Sequence, residues 1–281
     1  MTDREKQPDP VACDEMLAAP EWLLAHLGDP GLRIIDMRKG EGYRHSHIVG
    51  AIRYPESPFM REAGGVLVSD RIAGMMGQLG VGDDDTVVGY DDGNNLFAAR
   101  LWWALNYYGH RRVMVLDGGW DRWVADGRPI ENVARIPPVA VFKPRVSPQW
   151  IADSAYVRAS LGDPGRILLD VRGDREWSGE DSMGTKRGGR IPGAIHMLWS
   201  GTIDPETRRF RPSAILHEMF EARGLATEKE VIVYCQGGIR AAHAVFALRL
   251  AGFEKARNYD GSWAEWGNRE DLPIEREEAG P

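Results

Sequence analysis

Cysteine is almost missing from this chain: Cys13 and Cys235 are the two among 281 residues. Two thiols cannot staple a disulfide scaffold, and they suit a compartment in which thiols stay reduced. Long hydrophobic runs are missing too, since no stretch approaches the roughly 18 apolar residues of a membrane span. The opening MTDREKQPDPVACDEML is polar and acidic, where a secretory signal needs an apolar core. Positive charge is scarce: 35 Lys and Arg stand against 42 Asp and Glu, for a net charge of −7. That balance argues against nonspecific nucleic-acid binding, and it means that an anionic substrate needs a local positive site. No metal-ligand spacing occurs, so neither a metal nor another cofactor is expected. These absences point to a cytoplasmic monomer with no nucleic-acid or membrane partner. What the chain does have is 43% hydrophobic and 27% charged residues, enough to bury a sizeable core.

Internal repetition organises the rest. LRIIDMRKGEGYRHSHIVGAIRYP from Leu32 answers GRILLDVRGDREWSGEDSMGTKRGGRIPGAIHMLW from Gly165, each with an apolar run, Asp-x-Arg and x-Ile-x-Gly-Ala-Ile. DTVVGYDDGNNLFAARLWWAL answers KEVIVYCQGGIRAAHAVFAL, and Asp-Gly-x-Trp closes both halves. The order of all three features is kept, which marks a tandem duplication. ENVARIPPVAVFKPRVSPQW, with four prolines and no helical period, reads as a linker. The expected layout is a tail over 1–19, a domain over 20–132, a linker over 133–148, a second domain over 149–275 and a tail over 276–281. Short apolar strands alternate with helical patterns in each half, so each is expected to be a parallel β-sheet flanked by helices, an α/β fold.

The chemistry gathers at one turn. Val231–Tyr234 reads as a strand, and apolar residues from Ala241 onward recur at helical spacing. Cys235 therefore falls on a strand-to-helix junction at the carboxyl end of a parallel sheet, where ligands bind. Gln236, Gly237, Gly238 and Ile239 form a loop whose amides can curl around the sulfur, and the following helix adds its positive end. Such a bowl favours the thiolate and makes it a nucleophile without a separate base. A buried, inert thiol is the alternative for an isolated cysteine, but the Gly-Gly-x-Arg sequel argues against it. Arg240 supplies a cation for an anionic substrate. Cys13 sits in the tail with no assigned role. Asp170 and Arg172 recur as Asp36 and Arg38 in the half without a cysteine, which favours a structural role, and the repeated tryptophans read as packing.

Together, the tandem repeat, Asp170-x-Arg172, Arg190-Ile-Pro-Gly-Ala, the Cys235–Gly238 loop and Tyr259-Asp-Gly-Ser-Trp-x-Glu-Trp-Gly267 resemble the two-domain rhodaneses. These are the thiosulfate and mercaptopyruvate sulfurtransferases. The resemblance implies an inactive first domain, a site between the domains, and a persulfide on Cys235 that takes sulfur from a small donor and passes it to a thiol or cyanide. It also places Arg187 where the family often has a substrate-binding arginine. Independently, Asp91 stands where the second half has Cys235, cannot carry sulfur, and is suited to cap the next helix. Phosphatases of this fold need Cys-x5-Arg, whereas Cys235 to Arg240 is one residue shorter, so phosphate fits poorly. Gln236-Gly-Gly-Ile-Arg240 matches neither the thiosulfate nor the mercaptopyruvate loop of the family. At the position where mercaptopyruvate enzymes grip the carboxylate with arginine, this chain has Glu176, which favours thiosulfate. A non-catalytic sulfur carrier or regulatory module is the competing class.

Overall fold

Duplication in the sequence becomes duplication in space. The structure, a computed structural model, describes residues 16–55, 61–62, 65–66 and 69–276. Cys13 lies outside the described residues.

Each half holds a five-stranded, wholly parallel sheet. In the first the strands are β1 (Leu17–Ala18), β2 (Leu32–Asp36), β3 (Ile52–Arg53), β4 (Thr86–Tyr90) and β5 (Val113–Leu116), in the order β1-β5-β4-β2-β3. In the second they are β6 (Ile151–Ala152), β7 (Arg166–Asp170), β8 (Ile195–His196), β9 (Glu230–Tyr234) and β10 (Ala256–Tyr259), in the order β6-β10-β9-β7-β8. The two orders are the same. Near-continuous apolar runs such as VIVY are what a strand covered on both faces requires. Helices α1 (Leu96–Tyr107) and α2 (Gly119–Ala125) follow β4 and β5, and α3 (Asp174–Ser178) follows β7. After them come α4 (Ser213–Glu221), α5 (Ile239–Leu250) and α6 (Ser262–Trp266). Among the described residues, no helix is long and apolar enough to cross a membrane.

Register fixes the working edge. Asp36 pairs with Tyr90, and Asp170 with Tyr234, at the carboxyl ends of their strands. Each Asp-x-Arg element therefore lies beside the turn that leaves the neighbouring strand. Asp170 accepts from Arg172 at 2.6 Å and both side chains are fully buried. The Arg172 fork also reaches the Gly189 carbonyl at 2.7 Å, tying down the loop that returns to β8. Asp36 and Arg38 repeat the pair at 2.7 Å. A charge pair that deep holds geometry more than it adds stability.

The halves share one core. Helices α1 and α5 pack against each other, with the Trp102 and Phe246 rings perpendicular and their centroids 4.9 Å apart. Below them Arg100 of α1 meets Asp260 at 2.6 Å, with 0% and 4% of their side chains exposed.

Two boundaries differ from the sequence reading. The sheet begins at Leu17, inside the expected tail, because β1 is an edge strand of two residues, too short to show a period. At the other end, Arg276 donates to the Gly188 carbonyl at 2.9 Å, so the chain is still held where the second tail was expected to begin. The expected linker has no helix or strand from 133 to 147, yet it is fastened down. Ala140, Arg145 and Ser147 donate backbone bonds of 3.0, 2.8 and 2.7 Å to Gly77, Tyr108 and Tyr107, and Phe142 is buried. It is a strap across the first half.

Candidate active site

Cys235 directly follows β9 and is 1% exposed, at the floor of the turn into α5. Helix α5 starts at Ile239, two residues earlier than the apolar spacing suggests, because Gly238 takes a left-handed φ of 80° and caps it. No side chain fits there: a Cβ on Gly238 would lie 2.8 Å from the Asp260 carbonyl oxygen and closer still to its carboxylate. The Gly238 N–H donates to the Cys235 sulfur at 3.1 Å and to Ser262 Oγ at 3.0 Å. The Asn258 side chain donates to the Gly238 carbonyl at 3.0 Å and pins the loop from behind.

Ser262 is the organiser that sequence reading passed over as part of a packing motif. Its Oγ accepts the Cys235 N–H at 3.1 Å as well as that of Gly238. Its own proton goes to the Tyr259 carbonyl at 2.7 Å, which leaves the sulfur, 4.0 Å away, as a contact only. Ser262 has a left-handed φ of 52°, and its counterpart in the first half, Gly119, has 55°. A non-glycine residue there stores about 1–3 kcal/mol of strain. The contrast between GGW and GSW in the two repeats was the available signal.

Above the sulfur stands Arg240. Burial opposes its charge, but the Glu176 carboxylate and the Cys235 sulfur outweigh burial and hold the guanidinium above its usual range. Glu176 accepts from Arg240 Nη1 and Nη2 at 2.6 and 2.8 Å. Burial pushes Glu176 up, the Arg240 hydrogen bonds and charge pull harder, and the carboxyl sits below its ordinary value. Gln236 reaches over the rim and donates to the Met183 carbonyl at 3.3 Å. Ile239 packs on the core under the loop, and Gly237 completes the turn.

Arg187 is placed differently from expectation. Its guanidinium donates to the carbonyls of Leu272 at 3.0 Å, Trp266 at 3.1 Å and Gly267 at 3.4 Å, and to that of Arg269. It clamps the chain that leaves α6, so a substrate would have to displace carbonyls that already satisfy it. The sequence shows the charge but not these partners.

In the first half the equivalent bowl is filled. Asp91 accepts from the N–H groups of Gly93, Phe97 and Ala98 at 2.7, 2.7 and 2.8 Å. Burial pushes its carboxyl up to about 6 against the pull of those three donors. Phe97 takes the second helical position, which Arg240 occupies in α5.

Comparison with known proteins agrees with this architecture. A rhodanese-like domain is matched twice, over residues 19–126 and 153–269. The chain is 38% identical to a thiosulfate sulfurtransferase of Corynebacterium glutamicum over 95% of its own length and 94% of that protein's. It is 33% identical to a sulfur carrier protein, TtuD, of Thermus thermophilus, covering 94% and 98% of the two chains. Among solved structures it superposes on SseA of Escherichia coli, described as a 3-mercaptopyruvate sulfotransferase, with a TM-score of 0.79 and 26% identity over 88% of this chain and 98% of that one. The chain thus belongs to the rhodanese family as a sulfurtransferase with two rhodanese-like domains.

Proposed function

We propose that the protein takes the sulfane sulfur of thiosulfate onto Cys235 and passes it to a thiophilic acceptor such as cyanide or a small thiol. The observation that carries this reading is the Cys235 sulfur held by the Gly238 N–H at 3.1 Å with Arg240 beside it. The thiolate attacks the outer sulfur of thiosulfate, the sulfur–sulfur bond of the donor breaks, and sulfite leaves with the electron pair. A persulfide remains, and its terminal sulfur inherits the place of the thiolate among the loop amides. Cyanide then attacks that sulfur, thiocyanate leaves, and the thiolate is restored. Charge balances in both halves, and no proton has to move.

Arg240 and the loop amides Gln236–Ile239 are the proposed substrate contacts. One cation close to the sulfur suits a compact anion. The alternative donor, 3-mercaptopyruvate, carries its carboxylate farther from the sulfur and needs a second cation, and Arg187 is committed to carbonyls. A free thiol nucleophile needs a reducing compartment, so the cytoplasm is the proposed place of action. Every residue assigned to the site comes from one chain, which fits a monomer.

The test is a single turnover followed by intact mass. Thiosulfate should add one sulfur atom to the wild type and none to Cys235→Ser, and cyanide should remove it. Sulfur added to Cys235→Ser would refute the mechanism. A persulfide that cyanide cannot discharge but a partner protein can would favour the carrier reading.

A further inference from the structure

Glu176 takes no part in that chemistry, yet both its oxygens are spent on the cation that the chemistry depends on. Oε2 and Oε1 accept from Arg240 at 2.6 and 2.8 Å, and Oε2 also accepts the Gly173 N–H at 3.1 Å. The carboxylate sits in the first turn of α3 with 11% of its side chain exposed, so it is built into the wall and not draped over it. A bidentate fork is also how an incoming sulfonate would grip a guanidinium. An anionic donor must therefore use the N–H groups that Glu176 leaves, with a fixed negative charge alongside.

We propose that Glu176 is a specificity-determining residue that sets how much negative charge a sulfur donor can carry into this site, disfavouring dianions relative to monoanions of the same chemistry. The inference rests on the sulfurtransferase reading above. The Arg240–Glu176 pair is neutral as a unit, so it offers directed hydrogen bonds without a net positive field. Each further negative charge on a donor about 6 Å from the carboxylate costs about tenfold at an effective dielectric of ~40.

Two donors isolate that charge. Thiosulfate is a dianion and releases sulfite; methanethiosulfonate is a monoanion and releases methanesulfinate. Both leave the same persulfide on Cys235, so the discharge by cyanide is common to them. The readout is the ratio of their kcat/KM values, in which any loss of folded enzyme cancels. Glu176→Gln keeps an acceptor for Arg240 and removes the charge, and should raise the thiosulfate to methanethiosulfonate ratio about tenfold. Glu176→Asp keeps the charge and should leave the ratio near that of the wild type. Should Glu176→Gln not fold, Glu176→Ala removes the same charge. An unchanged ratio on charge removal, or an equal rise in Glu176→Asp, overturns the inference and leaves Glu176 as a brace for Arg240. If mass spectrometry shows no persulfide on the wild type with either donor, the sulfurtransferase reading falls and takes this inference with it.

Discussion

Arg240→Ala removes the cation beside the thiol and strands its partner, and the two consequences can be measured apart. The anionic end of the donor loses a charge-assisted hydrogen bond worth about 1.5–3 kcal/mol. That is about ten- to a hundredfold or more in kcat/KM for thiosulfate. Meanwhile Glu176, 11% exposed, loses two hydrogen bonds and keeps only the Gly173 N–H. Breaking a buried pair costs about 3–5 kcal/mol, and with 22% of the Arg240 side chain open to water the expected loss of stability is about 2–4 kcal/mol. The pH dependence has a definite sign. In the wild type the Glu176 carboxyl is held below its ordinary value, so the pair stabilises the fold above the unfolded pKa of about 4.3 and is lost as pH falls through the folded one. In the variant burial, the largest single influence on Glu176, is opposed only by the Gly173 N–H and the Arg172 charge, so the deficit seen at pH 7 should shrink towards pH 4. Steady-state thiosulfate kinetics and urea unfolding at both pH values give the two numbers. Adding Glu176→Gln should restore most of the stability, and of the thiosulfate rate only the part that repulsion by the unpaired carboxylate costs, leaving the loss due to the missing cation. Wild-type thiosulfate kinetics in Arg240→Ala would refute the assignment and reduce Arg240 to a helix residue.

Two further outcomes follow from buried groups. His243 is fully buried between Trp199 and Phe210, with Nε2 3.2 Å from the Asn94 carbonyl. Burial drives its pKa down to about 3, so below pH 6.5 the unfolded chain takes up a proton that the fold refuses. Between pH 7 and pH 5 the wild type should therefore lose about 2 kcal/mol more stability than His243→Leu; parallel pH curves by urea unfolding would contradict this. Asp91→Cys in a Cys235→Ser background should not form a persulfide, because Phe97 and Gly119 stand where the working half has Arg240 and Ser262. It should also lose about 2–4 kcal/mol as three N–H groups lose their acceptor, and sulfur addition at position 91 by mass would show that the first bowl is not disarmed.

Legibility tracked distance along the chain. The Cys235 loop could be read because its parts are consecutive and each has a local consequence: a strand that ends, glycines that turn, a helix that begins. The parallel sheets were legible for the same reason, since apolar runs and their repetition are local patterns. The residues that complete the site come from farther off. Glu176 lies 64 positions from Arg240, Ser262 lies 27 from Cys235, and Arg100 lies 160 from Asp260. Nothing in a single sequence links such positions until packing brings them together. The carbonyl partners of Arg187 were hidden for another reason: a guanidinium satisfied by carbonyls reads, residue by residue, like one waiting for an anion.

The first half has Asp91 where the second has Cys235, and it still braces the Cys235 loop. Its bowl turns inward, with the Asp91 carboxylate accepting three N–H groups, where the counterpart loop aims the Gly238 N–H at sulfur. That leaves α1 firmly started and free to act as a wall, and α1 is the helix that packs on α5. From it Arg100 reaches Asp260, whose backbone and carboxylate lie where any side chain on Gly238 would have to go. Gly238 in turn supplies the N–H on the sulfur. From the other side His243, three residues along α5 from Arg240, meets the Asn94 carbonyl of the degenerate loop. The Cys235 loop is thus held between its own sheet and the helix that follows the Asp91 loop. A cation fully buried on the far side of that contact costs too much to be incidental, and its partner Asp260 makes the distance between the two halves part of the geometry around Cys235.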